Sequence, residues 1–381
     1  MANRFWVGGS GTWNNTNTTN WATTSGGAGG ASAPTTADNV FFDSNSGTAA
    51  TITVDSTAVS ANTTINKSDI ILSLFGNATL VTAAQVLTFT TGTIQLNSYT
   101  LTVGRFSSSN SNARTIDFGT GKIVLTGNGT TIWTTVTSTN LTISGTPVVD
   151  SNYSGSTGTR TINGPAAGAN TETQSIDFNI TNGSDTVTLA NALYKNINLT
   201  GFSGTFNASS TTIYGNLTIP STLSSTTGNL IVFRKTSGSQ TVLTNGITIA
   251  PAIQVVGGAV VSFDDALTAS SSFTFTLGTV KFKSGATTSV GTFVVSGTTQ
   301  KILQSTVGGL QATLSQSSGT VTATYLDIKD INATGGATWN ARTDSSAKDL
   351  GNNTGWSFIY IAIQQILKPI IDKILKPIIL N

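Results

Sequence analysis

The 381-residue sequence contains no cysteine and no histidine, and only one methionine and seven prolines. Without cysteine no disulfide holds the fold together, and no thiolate is present to act as nucleophile or metal ligand. Without histidine the commonest general base and the commonest metal ligand are missing together. Charge is scarce as well: Lys, Arg, Asp and Glu make up 9% of the residues and the net charge is +2, against about 25% charged residues in ordinary soluble domains. So small a net charge, with no local Lys/Arg cluster, leaves no footprint for nucleic acid. Of the 16 acidic residues only Glu172 is a glutamate. There is no P-loop, no EF-hand loop and no Gly-rich calcium repeat. No cofactor or metal is therefore expected, and catalytic residues are expected to be none. Residues 1–30 also lack the basic and apolar regions of a secretory leader.

Thr, Ser, Asn and Gly take the place of charge. Thr with Val and Ile favours strands, while Asn and Gly supply turns of positive φ. From residue 50 onward short runs of period two follow one another, among them "TITV" at 51–54, "TLTV" at 100–103, "KIVL" at 122–125, "TVTL" at 186–189 and "FTFTL" at 273–277. Each is a strand of one or two pleats. Strands opened by Gly recur as "GTIQL" at 92–96, "GKIVL" at 121–125, "GTVKF" at 278–282 and "GTVTA" at 319–323, without a fixed period. A degenerate repeat of this kind suits a solenoid, whose coils must match inward but tolerate loops of any length. The expected fold is all-β: a right-handed parallel β-helix of coils of about 20–30 residues, with an N-terminal cap and a short non-β tail. An immunoglobulin-like sandwich array is the rival, but it asks for longer strands and a buried Trp in each domain.

The expected domains are a Trp/Gly-rich cap over 1–45, an irregular β-helix over 46–358 and a hydrophobic tail over 359–381. A β-helix ends in unpaired backbone groups above an open apolar core, and such ends aggregate unless covered. Trp6, Trp13 and Trp21 can cover one, each indole N–H reaching a partner. Gly8, Gly9 and Gly11 allow tight turns between them, and "VFF" at 40–42 is then the first coil strand. The same three Trp read differently as an exposed platform on which sugars stack.

The opening also resembles a family. Trp6, Gly8, Gly9, Gly11, Trp13, Asn20, Trp21, Pro34, Asp38, Val40 and Phe42 resemble the start of structural proteins of tailed phages, and of β-helical bacterial surface proteins. Residues 325–358, with Asn332, Ala333, Trp339 and "GNNTGW" at 351–356, are similar to the closing coil of the same proteins. The resemblance implies a structural or adhesive rod and brings no catalytic residues with it.

Beyond Phe358 the resemblance stops. "ILKPII" occurs at 366–371 and again at 374–379, and Pro369 and Pro377 oppose a continuous helix. Lys368, Asp372, Lys373 and Lys376 interrupt the run too often for a transmembrane span. Ile366, Leu367, Pro369, Ile370, Ile374, Leu375, Pro377 and Ile378 are the expected assembly residues, since so much exposed apolar surface marks a contact. Self-association about a three-fold axis, insertion into a neighbouring virion protein, binding to a membrane surface and folding back on the rod all remain open.

An enzymatic reading needs a carboxylate pair assembled from neighbouring coils. Asp117 in "TIDFG" and Asp177 in "SIDFN" share a local pattern and are the candidates; the plainer reading is that each ends a strand and caps a turn. The sequence thus points to a non-enzymatic phage virion protein: a fibre, spike or head-decorating rod. It is expected to be homotrimeric and virion-located, in contact with other virion proteins and with host-surface glycan as a further partner. The alternatives are a secreted, cell-surface β-helical adhesin and a polysaccharide-degrading tailspike.

Overall fold

In a computed structural model, residues 1–80, 84–164, 172–190, 193–342 and 346–359 are described. The chain is nearly all β and forms a β-solenoid of about 13 turns with parallel sheets. It divides into two compact units, Met1–Asn229 and Leu230–Asn381. The assembly residues from Ile366 to Ile378 lie outside the described residues. No helix among the described residues is long and apolar enough to cross a membrane.

In the first unit one ladder runs in parallel through Asn3–Trp6, Asn39–Phe42, the first half of Asn62–Leu74 and the first half of Val86–Gln95. It continues through Arg105–Ser107, Trp133–Thr134, Thr159–Asn163, Thr186–Ala190, Thr205–Ser209 and Ser225–Gly228. A second ladder runs through Ala78–Thr79, Thr100–Val103, Lys122–Leu125, Val148–Ser151, Ile176–Ile180, Leu193–Asn198 and Leu217–Thr218. The parallel ladder begins at Asn3, so Asn39–Phe42 is its second strand, not its first.

Alternation explains why these sequences take these places. In Thr186–Ala190, Val187 and Leu189 are buried while Thr186, Thr188 and Ala190 face outward. Inward residues then stack from rung to rung: the rings of Phe106 and Trp133 lie 4.6 Å apart and nearly parallel. Coil length is free because only the inward register must match. One rung advances 19 residues where Asn196 meets Asp177, but 29 where Asn179 meets Asp150.

The second unit repeats the plan. Thr279–Phe282 pairs in parallel with Val260–Phe263 on one side and Lys301–Ser305 on the other. Phe263, Phe273, Phe282 and Phe293 form a buried aromatic column with centroid separations of 5.6–5.7 Å. Thr320–Ala323, Thr338–Arg342 and Trp356–Ile359 form a separate parallel three-stranded sheet. The 325–358 signature contributes Trp339 to this unit's core, its indole donating to the Thr334 carbonyl at 3.1 Å.

Two arginines at inward positions are held by networks of hydrogen bonds. Arg114 is buried and donates to Ser108 Oγ and to the carbonyls of Ser108, Asn112, Thr137 and Thr139. Arg160 is also buried, in a bidentate pair with Asp185 at 2.7 and 2.8 Å.

Candidate functional site

The N-terminal motif folds as one interlocked cluster. Trp6, Trp13, Trp21 and Phe42 each have 0% exposure. Trp21 meets the ring of Trp6 edge-on at 5.0 Å and that of Trp13 at 5.7 Å. The Trp21–Ala22 strand is antiparallel to Asn3–Trp6 and covers its otherwise open edge. Gly8 and Gly9 take positive φ in the turn after the first strand. Gly11 is required for space: a Cβ there would lie 2.9 Å from Asn20 Oδ1 and 3.0 Å from the Trp6 ring. Asn20 ties the turn down, donating from Nδ2 to the Val7 carbonyl at 2.9 Å. The exposed sugar platform is therefore not formed by these Trp, because no indole face reaches solvent. The expectation that each indole N–H finds a partner holds for Trp6, which donates to Gly9 O at 2.7 Å; Trp13 and Trp21 have none.

Asp38 closes the motif by accepting from the Thr35 N–H at 2.9 Å and the Thr35 hydroxyl at 2.8 Å. Burial pushes its carboxyl up, but these two bonds together with the positive charge of Arg4 outweigh burial and hold it below the usual carboxylate range. A depressed folded value stabilises above the unfolded one and loses that contribution as pH falls through the folded value. Asp38→Asn should cost on the order of 1–2 kcal/mol at neutral pH. That difference should shrink below about pH 4. Denaturant midpoints of both proteins across the acid range check this.

Asp117 and Asp177 lie on different sheets and are not brought together. Asp117 accepts from Ser144 Oγ at 2.9 Å and from the Gly119 N–H at 3.2 Å. Asp177 accepts from the Asn196 N–H at 3.0 Å and from Asn196 Nδ2 at 2.7 Å. Each serves a neighbouring rung.

Asp177 nevertheless belongs to a continuous surface feature of the first unit. Along the second ladder the outward positions of six parallel strands align: Thr100, Lys122 and Val148 beside Asp177 in one column, Asp150, Asn179, Asn198 and Thr218 in the next. A bulge in Leu193–Asn198 sets both Lys195 and Asn196 opposite Asp177, as expected where two residues face one. Lys195 Nζ then stands 3.8 Å from Asp177 Oδ2. Asp150 is held from both sides, by Lys122 Nζ at 2.7 Å and by Asn179 Nδ2 at 2.7 Å. Two shallow depressions of about 350 and 420 Å³ lie along these strands and meet at Val148. Both volumes fall within the usual span of ligand sites, about 300–1,000 Å³. Amides, hydroxyls and the charged side chains of Lys122 and Asp177 line them, with Val148 as the outward apolar residue at their junction.

Sequence reasoning named Asp177 and missed the rest of the groove. The available signal was the repeated outward polar residue of "VVD", "IDFN", "NIN" and "LT", visible as a column only when the coils are aligned. The chain matches no protein-family model, no curated protein and no solved structure.

Proposed function

We propose that the chain is a non-enzymatic structural protein of a phage particle, a fibre, spike or head-decorating rod that assembles as a homotrimer. The observation that supports this reading is the economy of the N-terminal motif. Trp6, Gly11, Trp13, Asn20, Trp21, Asp38 and Phe42, which are among the residues that carry the resemblance, pack or hydrogen-bond around the first strand of a parallel ladder, whose edge Trp21–Ala22 pairs with. A rod needs such a closure, because an open ladder end would recruit other chains. The adhesin reading loses its aromatic platform with the burial of the three Trp and retains only polar rungs.

The 359–381 segment carries the assembly contact in this proposal. Light scattering of the full chain should give three times the 39.1 kDa chain mass, and a chain ended at Phe358 should give the single mass. An unchanged mass after truncation removes the tail from assembly. Peptide mass spectrometry of purified particles tests the location; recovery of the protein in the secreted fraction instead would overturn the virion reading.

A further inference from the structure

We infer that the groove of the second ladder is a binding site for an extended, uncharged polysaccharide lying along the stack of rungs. The inference rests on the groove and not on the virion reading.

Its chemistry selects the ligand by charge first. Lys122, which lines the groove, and Lys195, beside it, are each paired within the chain, with Asp150 and Asp177 respectively. An acidic chain would meet two carboxylates with no surplus cation, and a polybasic one would have to displace two ammonium groups already in place. A nucleic acid is disfavoured on the same ground, since phosphate binding needs unpaired Lys or Arg. A protein partner is disfavoured by the lining. Interfaces are anchored by large apolar or aromatic side chains entering pockets, and among the described residues the exposed large hydrophobics Met1, Phe75, Val294, Val307, Leu310 and Leu350 all lie outside the groove.

What the groove offers is hydrogen bonding held in fixed positions. Asn198 Oδ1 accepts from the Thr200 N–H at 3.0 Å and the Thr200 hydroxyl at 2.6 Å. Those two bonds fix the amide and leave its Nδ2 to donate outward. Asn179 is fixed in the opposite sense: Nδ2 is spent on Asp150, so Oδ1 is left to accept. An outward donor on one rung thus stands beside an outward acceptor on the next, as hydroxyl-bearing rings require, since each hydroxyl both gives and takes. Because the amides are already ordered, little side-chain entropy is lost on binding. The rungs repeat every ~4.8 Å, so six strands span on the order of 24 Å, long enough for several sugar units in a row. Val148, outward on its strand, suits the apolar C–H face of a ring.

Affinity electrophoresis of the full chain through gels containing dextran, laminarin or yeast mannan, with alginate as the acidic counterpart, tests the inference. Retardation by at least one neutral polymer and none by alginate is expected, with longer fragments of the binding polymer competing better than short ones. Val148→Trp fills the junction of the two depressions and should weaken binding at least tenfold. Asn198→Ala removes the fixed donor and should weaken it about fivefold, the worth of one hydrogen bond. Thr188→Trp, on the outward face of the other ladder, should leave it unchanged. Circular dichroism verifies that the variants are folded. The inference fails if no neutral polymer retards the chain, if alginate binds more tightly, or if Val148→Trp and Thr188→Trp behave alike.

Discussion

Arg160→Ala should destabilise the first unit by about 3–5 kcal/mol, the usual cost of leaving one partner of a buried ion pair alone. Neither side chain of the pair reaches solvent: both Arg160 and Asp185 side chains have 0% exposure. The guanidinium also donates to Ser151 Oγ at 2.8 Å and to the Asn182 carbonyl at 2.9 Å. It lies 5.4 Å from the ring centroids of both Tyr153 and Phe202. One side chain thus ties together three successive coils, and its loss leaves a carboxylate in the core without its cation. Arg160→Met combined with Asp185→Leu removes both charges and should cost much less than Arg160→Ala alone, since apolar replacement of a buried pair is often nearly neutral. Such non-additivity is the signature of direct coupling. Hydrogen exchange localises the effect: protection should fall first in Val148–Ser151 and Thr186–Ala190, because a solenoid rung is held mainly by its neighbours. Equal costs for the single and double variants would show that packing volume, not charge, is what the site requires.

The same arginine shows what was legible in the sequence. Alternation in "TRTIN" places Arg160 on the side of Ile162, so an inward charge was readable there in principle. Its partner was not, because Asp185 lies 25 residues further on in a coil whose length nothing local dictates. The fold class could be read because strand alternation is a local property that repeats. The groove could not, because it is a column across coils of unequal length, fixed by the inward register of residues such as Val149 and Phe178. At the N-terminus the Trp/Gly composition pointed to a covered end, but the covering strand, Trp21–Ala22, has two residues and no alternation to reveal it. That a Trp cluster lay inside rather than on the surface was likewise undecided until the antiparallel pairing fixed which way each ring turns.

Trp21→Ala should cost about 3–5 kcal/mol, the range for truncating a large buried ring, and should also change solution behaviour. Trp21 touches Trp6, Trp13 and Phe42 at ring-centroid distances of 5.0, 5.7 and 6.2 Å. Its strand supplies the antiparallel cover on Asn3–Trp6, so loosening it exposes a row of backbone donors and acceptors beside an apolar core. Exposed edges of this kind pair with other chains. The variant should therefore scatter light at concentrations where the parent does not, well before the solenoid itself unfolds. Trp21→Phe separates the two roles of the residue. Its indole N–H has no acceptor, and an unsatisfied buried donor costs about 1–3 kcal/mol, so replacing indole by phenyl removes that penalty while losing some contact area. Trp21→Phe should then lie within about 1.5 kcal/mol of the parent, the span of a tolerated apolar exchange, and should not aggregate. If Trp21→Ala is as soluble as the parent and unfolds with the same denaturant midpoint, the ring does not close the end of the ladder.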